Sequence, residues 1–293
     1  MKLIPGFDLD FIMRTVWVTK EAKEAWAKVI PQISTLICNL EVESVVQGHR
    51  PVTWQTLDET HYMEHQAEAW ENMGLASISI KKVGQFAGFA HKHAPLVKDQ
   101  PCNVCVIVAK SYDLCKEFRK AFVADDNFTQ GALLGYPKCC SQFFCDMWPK
   151  GYFDPIWQAA ENTPEENIVR RGENFLRIRA NPLSNAALRY LGLRACFHIP
   201  CSFNCQPSIE IAEQRLALGE KSNPDLIKRL KTLMRMPHSW DSYHGIAVVR
   251  SPIFYAITAS VPTAERYVVE VEGDFIPKES RKGVIFPFTE VKE

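Results

Sequence analysis

Over the first eighty or so residues the apolar and polar positions fall mainly into helical patterns. Thr19 to Ile30 is rich in strong helix formers and runs into Pro31, so it reads as a helix that stops there. Asp58 to Met73 reads as a second helix, with Asp58 as its cap. The texture changes at Val83 to Pro95, where Gly84, Gly88 and Pro95 punctuate a stretch carrying Phe86 and Phe89. Asn103 to Ala109 is then an apolar run of strand length, and Tyr112 to Val123 is a helix. The pattern predicts a helical N-terminal region over residues 1–82 and an α+β domain over residues 83–293.

Further along, Gln142 to Trp148 reads as a helix stopping before Pro149, and Ser184 to Tyr190 as a short one. Ser208 to Leu218 is longer, with Gly219 marking its end, and Pro224 to Met236 is a basic amphipathic helix. Ile246 to Arg250, Ile253 to Thr258 and Arg266 to Val271 read as strands separated by Pro252, Pro262 and Gly273. Lys278 to Glu293 reads as an exposed tail. The fold class is α+β, with a helical start, a mixed centre and a small C-terminal antiparallel sheet.

Composition narrows the partners. A chain of 293 residues with 46% apolar and 23% charged side chains is that of a globular protein with a packed core. Basic and acidic residues both number 34, so no global field draws nucleic acid or an anionic membrane, and a small-molecule substrate is expected. Residues 1–8 lack the features of a secretory signal, and no apolar run approaches bilayer length, which predicts a cytoplasmic location. Ten cysteines in that setting point to metal binding or catalysis rather than disulfides.

Five of the ten sit in two short stretches: Gly135-Tyr136-Pro137-Lys138-Cys139-Cys140 with Cys145 behind it, and His198-Ile199-Pro200-Cys201-Ser202-Phe203-Asn204-Cys205. In each, cysteine follows a proline that can hand the chain into a helix, so both clusters are expected at helix N-termini. There the helix dipole and free N–H groups favour the thiolate. Cys201 and Cys205, four apart, can ligate jointly from a helix or a loop. Cys139 and Cys140 are adjacent, so one is expected as a ligand and the other as a second ligand, an outer partner or a reactive thiol. His198 is a further ligand or a proton donor.

Gly-Tyr-Pro-x-Cys-Cys followed by Phe-Phe, with His-x-Pro-Cys-Ser-x-x-Cys-x-x-Ser at His198 to Ser208, resembles a prokaryotic family, domain of unknown function 483. The likeness covers roughly residues 130 to 260, including Met236 to Ala247. It implies that these positions hold a metal or iron–sulfur centre, and it names no reaction.

Weaker signals compete. Cys201-x3-Cys205-x2-Ser208 falls one cysteine short of the radical S-adenosylmethionine loop, and too little chain follows for the barrel. His61-Tyr62-Met63-Glu64-His65 matches an inverted zincin pattern that easily arises by chance, and His91-x-His93 is equally short. His238, Asp241, Tyr243 and His244 form a polar cluster read as a loop that delivers acid and base groups. Arg170, Arg171, Arg177, Arg179, Arg189 and Arg194 lie between the cysteine clusters and can bind a carboxylate or phosphate.

The reading that results is an enzyme with a 4Fe-4S cluster held by Cys139, Cys140, Cys201 and Cys205. The cluster is expected to act as Lewis acid or sulfur carrier on a small polar substrate, with His198, His238, Asp241 and His244 moving protons. Its alternatives are a zinc-binding structural or interaction module on the same sulfurs, and a metal-free cysteine-thiol enzyme.

Overall fold

The computed structural model describes residues 15–84, 96–152, 154–259 and 265–280, with the backbone of 284–285 and 289–290. β1 (Thr15–Trp17) leads into α1 (Lys20–Trp26), α2 (Val29–Val46) and β2 (Val52–Asp58). A helical run of α3 (Glu59–His61), a π-helical turn (Tyr62–Gln66) and α4 (Ala67–Asn72) precedes β3 (Ala76–Gly84) and β4 (Cys102–Ala109). Then come α5 (Tyr112–Val123), α6 (Asn127–Leu133), α7 (Lys138–Met147), α8 (Ile156–Glu161), β5 (Ile168–Gly172) and β6 (Phe175–Ile178). α9 (Gln206–Ser222) and α10 (Pro224–Met234) carry the chain to β7 (His238–Tyr243), β8 (Ile246–Arg250), β9 (Phe254–Ala259) and β10 (Tyr267–Val271).

The smaller sheet has the order β2-β4-β3, all antiparallel, with the apolar β4 in the middle. A central strand covered on both faces is expected to be apolar, and β4 is from Val104 on: Ile107 and Ala109 pack with Cys115 and Phe118 of α5, while Val104, Val106 and Val108 pack with Val45, Tyr62 and Trp70. The larger sheet has the order β1-β9-β8-β7-β10-β6-β5 and is antiparallel except where β10 pairs with β6. Its buried face, with Trp240, Phe254, Leu176 and Ile178, shares the main core with Ile33 and Ile37 of α2, Leu216 of α9 and Leu230 of α10.

The fold is α+β, as expected, with an antiparallel sheet near the C-terminus that is larger than the three strands read there. β5 and β6 went unread because arginines occupy their exposed positions. The helical region 1–82 also carries β2 and most of β3, and its proposed end at residue 82 falls inside β3, which is hydrogen-bonded to β4. Pro31 starts a helix instead of stopping one. It lies in the first turn of α2, where the missing N–H costs nothing.

Gly219 lies inside α9, because a Cβ there would meet Ile227 and Leu40; the glycine lets three helices approach. Ser184 to Tyr190 is two 3₁₀ turns, Pro182–Ser184 and Arg189–Leu191, in place of a helix. Lys20–Val46 is apolar and long enough to cross a bilayer by length and composition, against the expectation. In this fold it buries Ile33, Ile37 and Leu40 against α9 and α10. His91 and His93, and most of the tail, lie outside the described residues.

Candidate metal centre

Gly135 to Cys140 is a helix-to-helix junction. The Tyr136 N–H bonds Gly131 O at 2.9 Å and the Gly135 N–H bonds Ala132 O at 3.0 Å, the paired bonds that close a helix on a left-handed residue. Gly135 takes that conformation, at φ +70°, and a Cβ would press on Arg50. Pro137 then caps α7 in extended geometry, so Cys139 and Cys140 fall in the first turn. Both helices are held close by Gly131, whose Cβ would strike Ser141.

The second cluster is a loop pinned to its surroundings by backbone contacts. Asn162 Nδ2 donates to Cys201 O at 3.1 Å, Phe203 N–H to Thr163 Oγ1 at 3.2 Å, and Asn204 Nδ2 to Arg179 O at 3.0 Å. Phe203 is buried in the main core, and Cys205 is the N-cap of α9. Both clusters therefore stand at helix N-termini, Cys201 in the loop just before one of them.

The two N-termini meet. The sulfurs of Cys139, Cys140, Cys201 and Cys205 all lie within 4.8 Å of one another, the one such group of ligands among the described residues. Cys140 and Cys205 are 3.6 Å apart, Cys139 and Cys205 3.8 Å, and Cys139 and Cys140 3.9 Å. Adjacency thus does not keep Cys139 out. The Cys201 N–H points at the Cys140 sulfur at 3.4 Å. Cys140 and Cys205 are buried, Cys201 is half-buried and Cys139 is exposed.

Charge in this group settles on Cys205. It accepts from the thiols of Cys140 and Cys201 and from Ser208, which hold its pKa far below the ordinary thiol value. Donating to Cys201 and Cys205, together with burial, pushes Cys140 the other way. Ser208 Oγ lies 3.2 Å from both the Cys140 and Cys205 sulfurs and 2.7 Å from His198 Nε2. A single hydroxyl thus links the histidine to two sulfurs.

His198 reaches the centre through Ser208 rather than as a ligand. Its ring lies 5.1 Å from that of Tyr136, its Nδ1 has no hydrogen-bond partner among the described residues, and burial lowers its pKa to about 3. It bounds a cavity of about 290 Å³ with Tyr136, Cys140, Phe144, Phe197 and Gln130.

The stretch read as a catalytic loop is the β7–β8 hairpin. His238 is fully buried, its Nδ1 donating to Met236 O at 2.9 Å and its Nε2 accepting from Asn185 at 3.2 Å. Asp241 is engaged by Arg250 at 2.7 Å and by both guanidinium ends of Arg266 at 2.9 Å. His244 sits on the turn at φ +50°, its ring 3.9 Å from that of Tyr243. His238 and Asp241 are thus engaged by partners within and beside the hairpin, and His244 packs on Tyr243.

The arginines between the clusters are also engaged. Arg171 pairs with Glu165, Arg177 with Glu270, Arg179 with Glu272, Arg189 with Asp154 and Arg194 with Glu41, while Arg170 lies over Phe175. His61 and His65 are tilted at 58° with ring centres 5.8 Å apart on an exposed helix face, Glu64 lies 3.8 Å from His65, and among the described residues they form no metal-sized group of three ligands. Cys102 and Cys115 donate to Glu59 and Ile107 O, while Cys196 reaches Leu183 O and, at 3.3 Å, the carbonyl of Ser208 beside the four-sulfur group. Compared with known families, curated proteins and solved structures, the chain matches none of them.

Proposed function

We propose that this chain is a zinc protein in which Cys139, Cys140, Cys201 and Cys205 hold one ion in a closed tetrahedral site that staples α7 to α9. The observation that carries the reading is the spacing of the sulfurs, 3.6 to 3.9 Å for the three pairs given above. Four thiolates about 2.3 Å from a central zinc stand about 3.8 Å apart by tetrahedral geometry. A cubane would spread the same four sulfurs to roughly 6 Å, because its sulfide cage lies between them. With all four positions taken by protein, the metal has no open site for substrate, and its work is to fix two helix ends. The chain is then a binding module built around a structural metal.

Elemental analysis of protein purified without oxygen tests this directly. One zinc per chain, no acid-labile sulfide and a colourless solution is the expected result. Four irons with sulfide and broad visible absorption would sink it. That outcome belongs to a second reading, the iron–sulfur enzyme, which draws on the exposure of Cys139 and the cavity beside Cys140 and His198. An exposed sulfur is the one most easily displaced to open a position for a small polar substrate.

A further inference from the structure

Behind Tyr136 and Phe197 lies a second cluster whose charges do not balance. Arg50 and Arg215 are each 3% exposed, and Arg194 joins them at the edge. The carboxylate within reach is that of Glu41, 3.5 Å from Arg50 Nη1 and 3.5 Å from Arg194 Nη2, and it also accepts from Thr53 at 3.0 Å. Phe197 brings the other two together, with the Arg215 guanidinium 3.9 Å and the Arg50 guanidinium 5.8 Å from its ring centre.

Among the described residues three guanidiniums share one carboxylate, two of them in the interior with Glu41 and the third, Arg194, at the edge, so positive charge is in excess by two. All three nitrogens of the Arg50 guanidinium, Nη1 of Arg215 and Nε of Arg194 are buried without a hydrogen-bond acceptor among the described residues. Buried charge without a partner is costly, and orphaned donors on three arginines that share Glu41 or the Phe197 ring are the complement of a multi-oxygen anion. Burial and the neighbouring Arg50 charge pull Arg215 down to about 9, the direction expected where cations crowd without counter-charge.

We infer that Arg50, Arg194 and Arg215 form a binding site for a tetrahedral dianion, a phosphate, either free or as the head of a small phosphorylated molecule. The charge sets the class: a dianion neutralises the excess that Glu41 leaves, and a planar fork on each arginine matches phosphate oxygens in pairs. The Arg194 side chain, 29% exposed, marks the side from which the anion enters. On α9, Arg215 follows Ser208 by two helical turns on the same buried face, about 10 Å along the axis, so the anion sits one layer from the sulfurs. Tyr136 and Phe197 separate the two sites, and both line the cavity beside Cys140. The site does not depend on which metal the cysteines hold.

Thermal unfolding of the full-length, metal-loaded chain in inorganic phosphate, against chloride of matched ionic strength, reads this out. The midpoint should rise by about 5 °C in phosphate at a hundredfold excess over the dissociation constant. Arg215→Lys keeps the charge but loses the fork, and should weaken phosphate binding about tenfold or more. Arg215→Met should be insensitive to phosphate whatever its own midpoint. ³¹P NMR of the supernatant from denatured protein separates the sources, since a monoester and inorganic phosphate resonate apart. Equal midpoints in phosphate and chloride for the unsubstituted chain, or an undiminished phosphate shift in Arg215→Met, would overturn the assignment.

Discussion

Ser208 has one hydroxyl hydrogen and three groups around it, and how it is shared decides what the residue does. The sulfurs of Cys140 and Cys205 both need a donor once they are thiolates, so the hydrogen goes to sulfur and the oxygen accepts from His198 Nε2–H. Partners of this kind orient ligands and tune their basicity. Ser208→Ala should therefore weaken metal binding by roughly 10- to 100-fold while leaving the fold intact. Competition against a chromogenic chelator measures this, and an unchanged affinity would show the hydroxyl to be idle. The sequence displayed Ser208 as the place where a third cysteine was missing. Its link to His198 was not legible, because the two meet only once the loop before α9 is folded.

His238 was legible as an ionisable group, and its burial on a strand was not. The inward positions of β7 are His238, Trp240 and Ser242, and two polar residues among three hide the alternation of a strand. Burial holds the His238 pKa at about 4, against about 6.5 for a histidine in the unfolded chain. Between those two values the unfolded chain binds a proton that the folded one refuses. Stability therefore falls as pH drops from about 6.5 to 4, by about 3 kcal/mol from this residue, and levels off below. Urea unfolding at stepped pH should show a shallower decline in His238→Gln. Parallel declines in the two proteins would mean that the ring is already protonated in the fold.

At the scale of elements, glycine and proline were read as punctuation, and packing gave several of them other work. Gly273 reads as the turn after the last strand, and it does follow β10. A Cβ on it would lie 2.2 Å from Pro237 N and 2.4 Å from Arg235 O, both backbone atoms that cannot rotate away. The end of β10 thus presses against the link between α10 and β7, where the Asp274 N–H also bonds Arg235 O at 3.1 Å. Gly273→Ala should cost about 2–3 kcal/mol by overpacking, read from the urea midpoint at constant slope. A loss under about 0.5 kcal/mol would show that this junction yields freely. Helices with clear caps, such as α5 behind Ser111 and α10 behind Asn223, were legible to within a residue or two because their signals are local. β5 and β6 were not, since β6 owes its place to pairing with β10 across nearly a hundred residues and β5 is held by β6 in turn.

At the scale of the whole molecule, the four sulfurs lie where α7 meets α9. α7 reaches both packing units: it packs on α6, which packs on α5 of the small sheet, while its Phe143 joins α9 in the core under the large sheet. The first eighty residues serve both units: α2 lies in the main core, while β2 and β3 flank β4 on both sides. The sulfur density was readable in the sequence, and so was its position at helix starts. That the two clusters form one four-sulfur group was expected as well; the packing of α6 and α7 against the loop before α9 that brings them together was not legible. If one ion holds that junction, removing it takes away a cross-link and leaves Cys205 as a thiolate among thiols at the join. Stripping the metal with a strong chelator should lower the unfolding midpoint by about 5–10 °C, since an ion bound only by the folded state stabilises that state. The loss should also be local. Amide exchange should quicken in residues 135–147 and 198–209, while β7 to β10, whose core residues lie away from the sulfurs, keep their protection. A midpoint that stays put after the metal is shown to be gone, with exchange unchanged around the cysteines, would mean that helix packing alone holds α7 against α9.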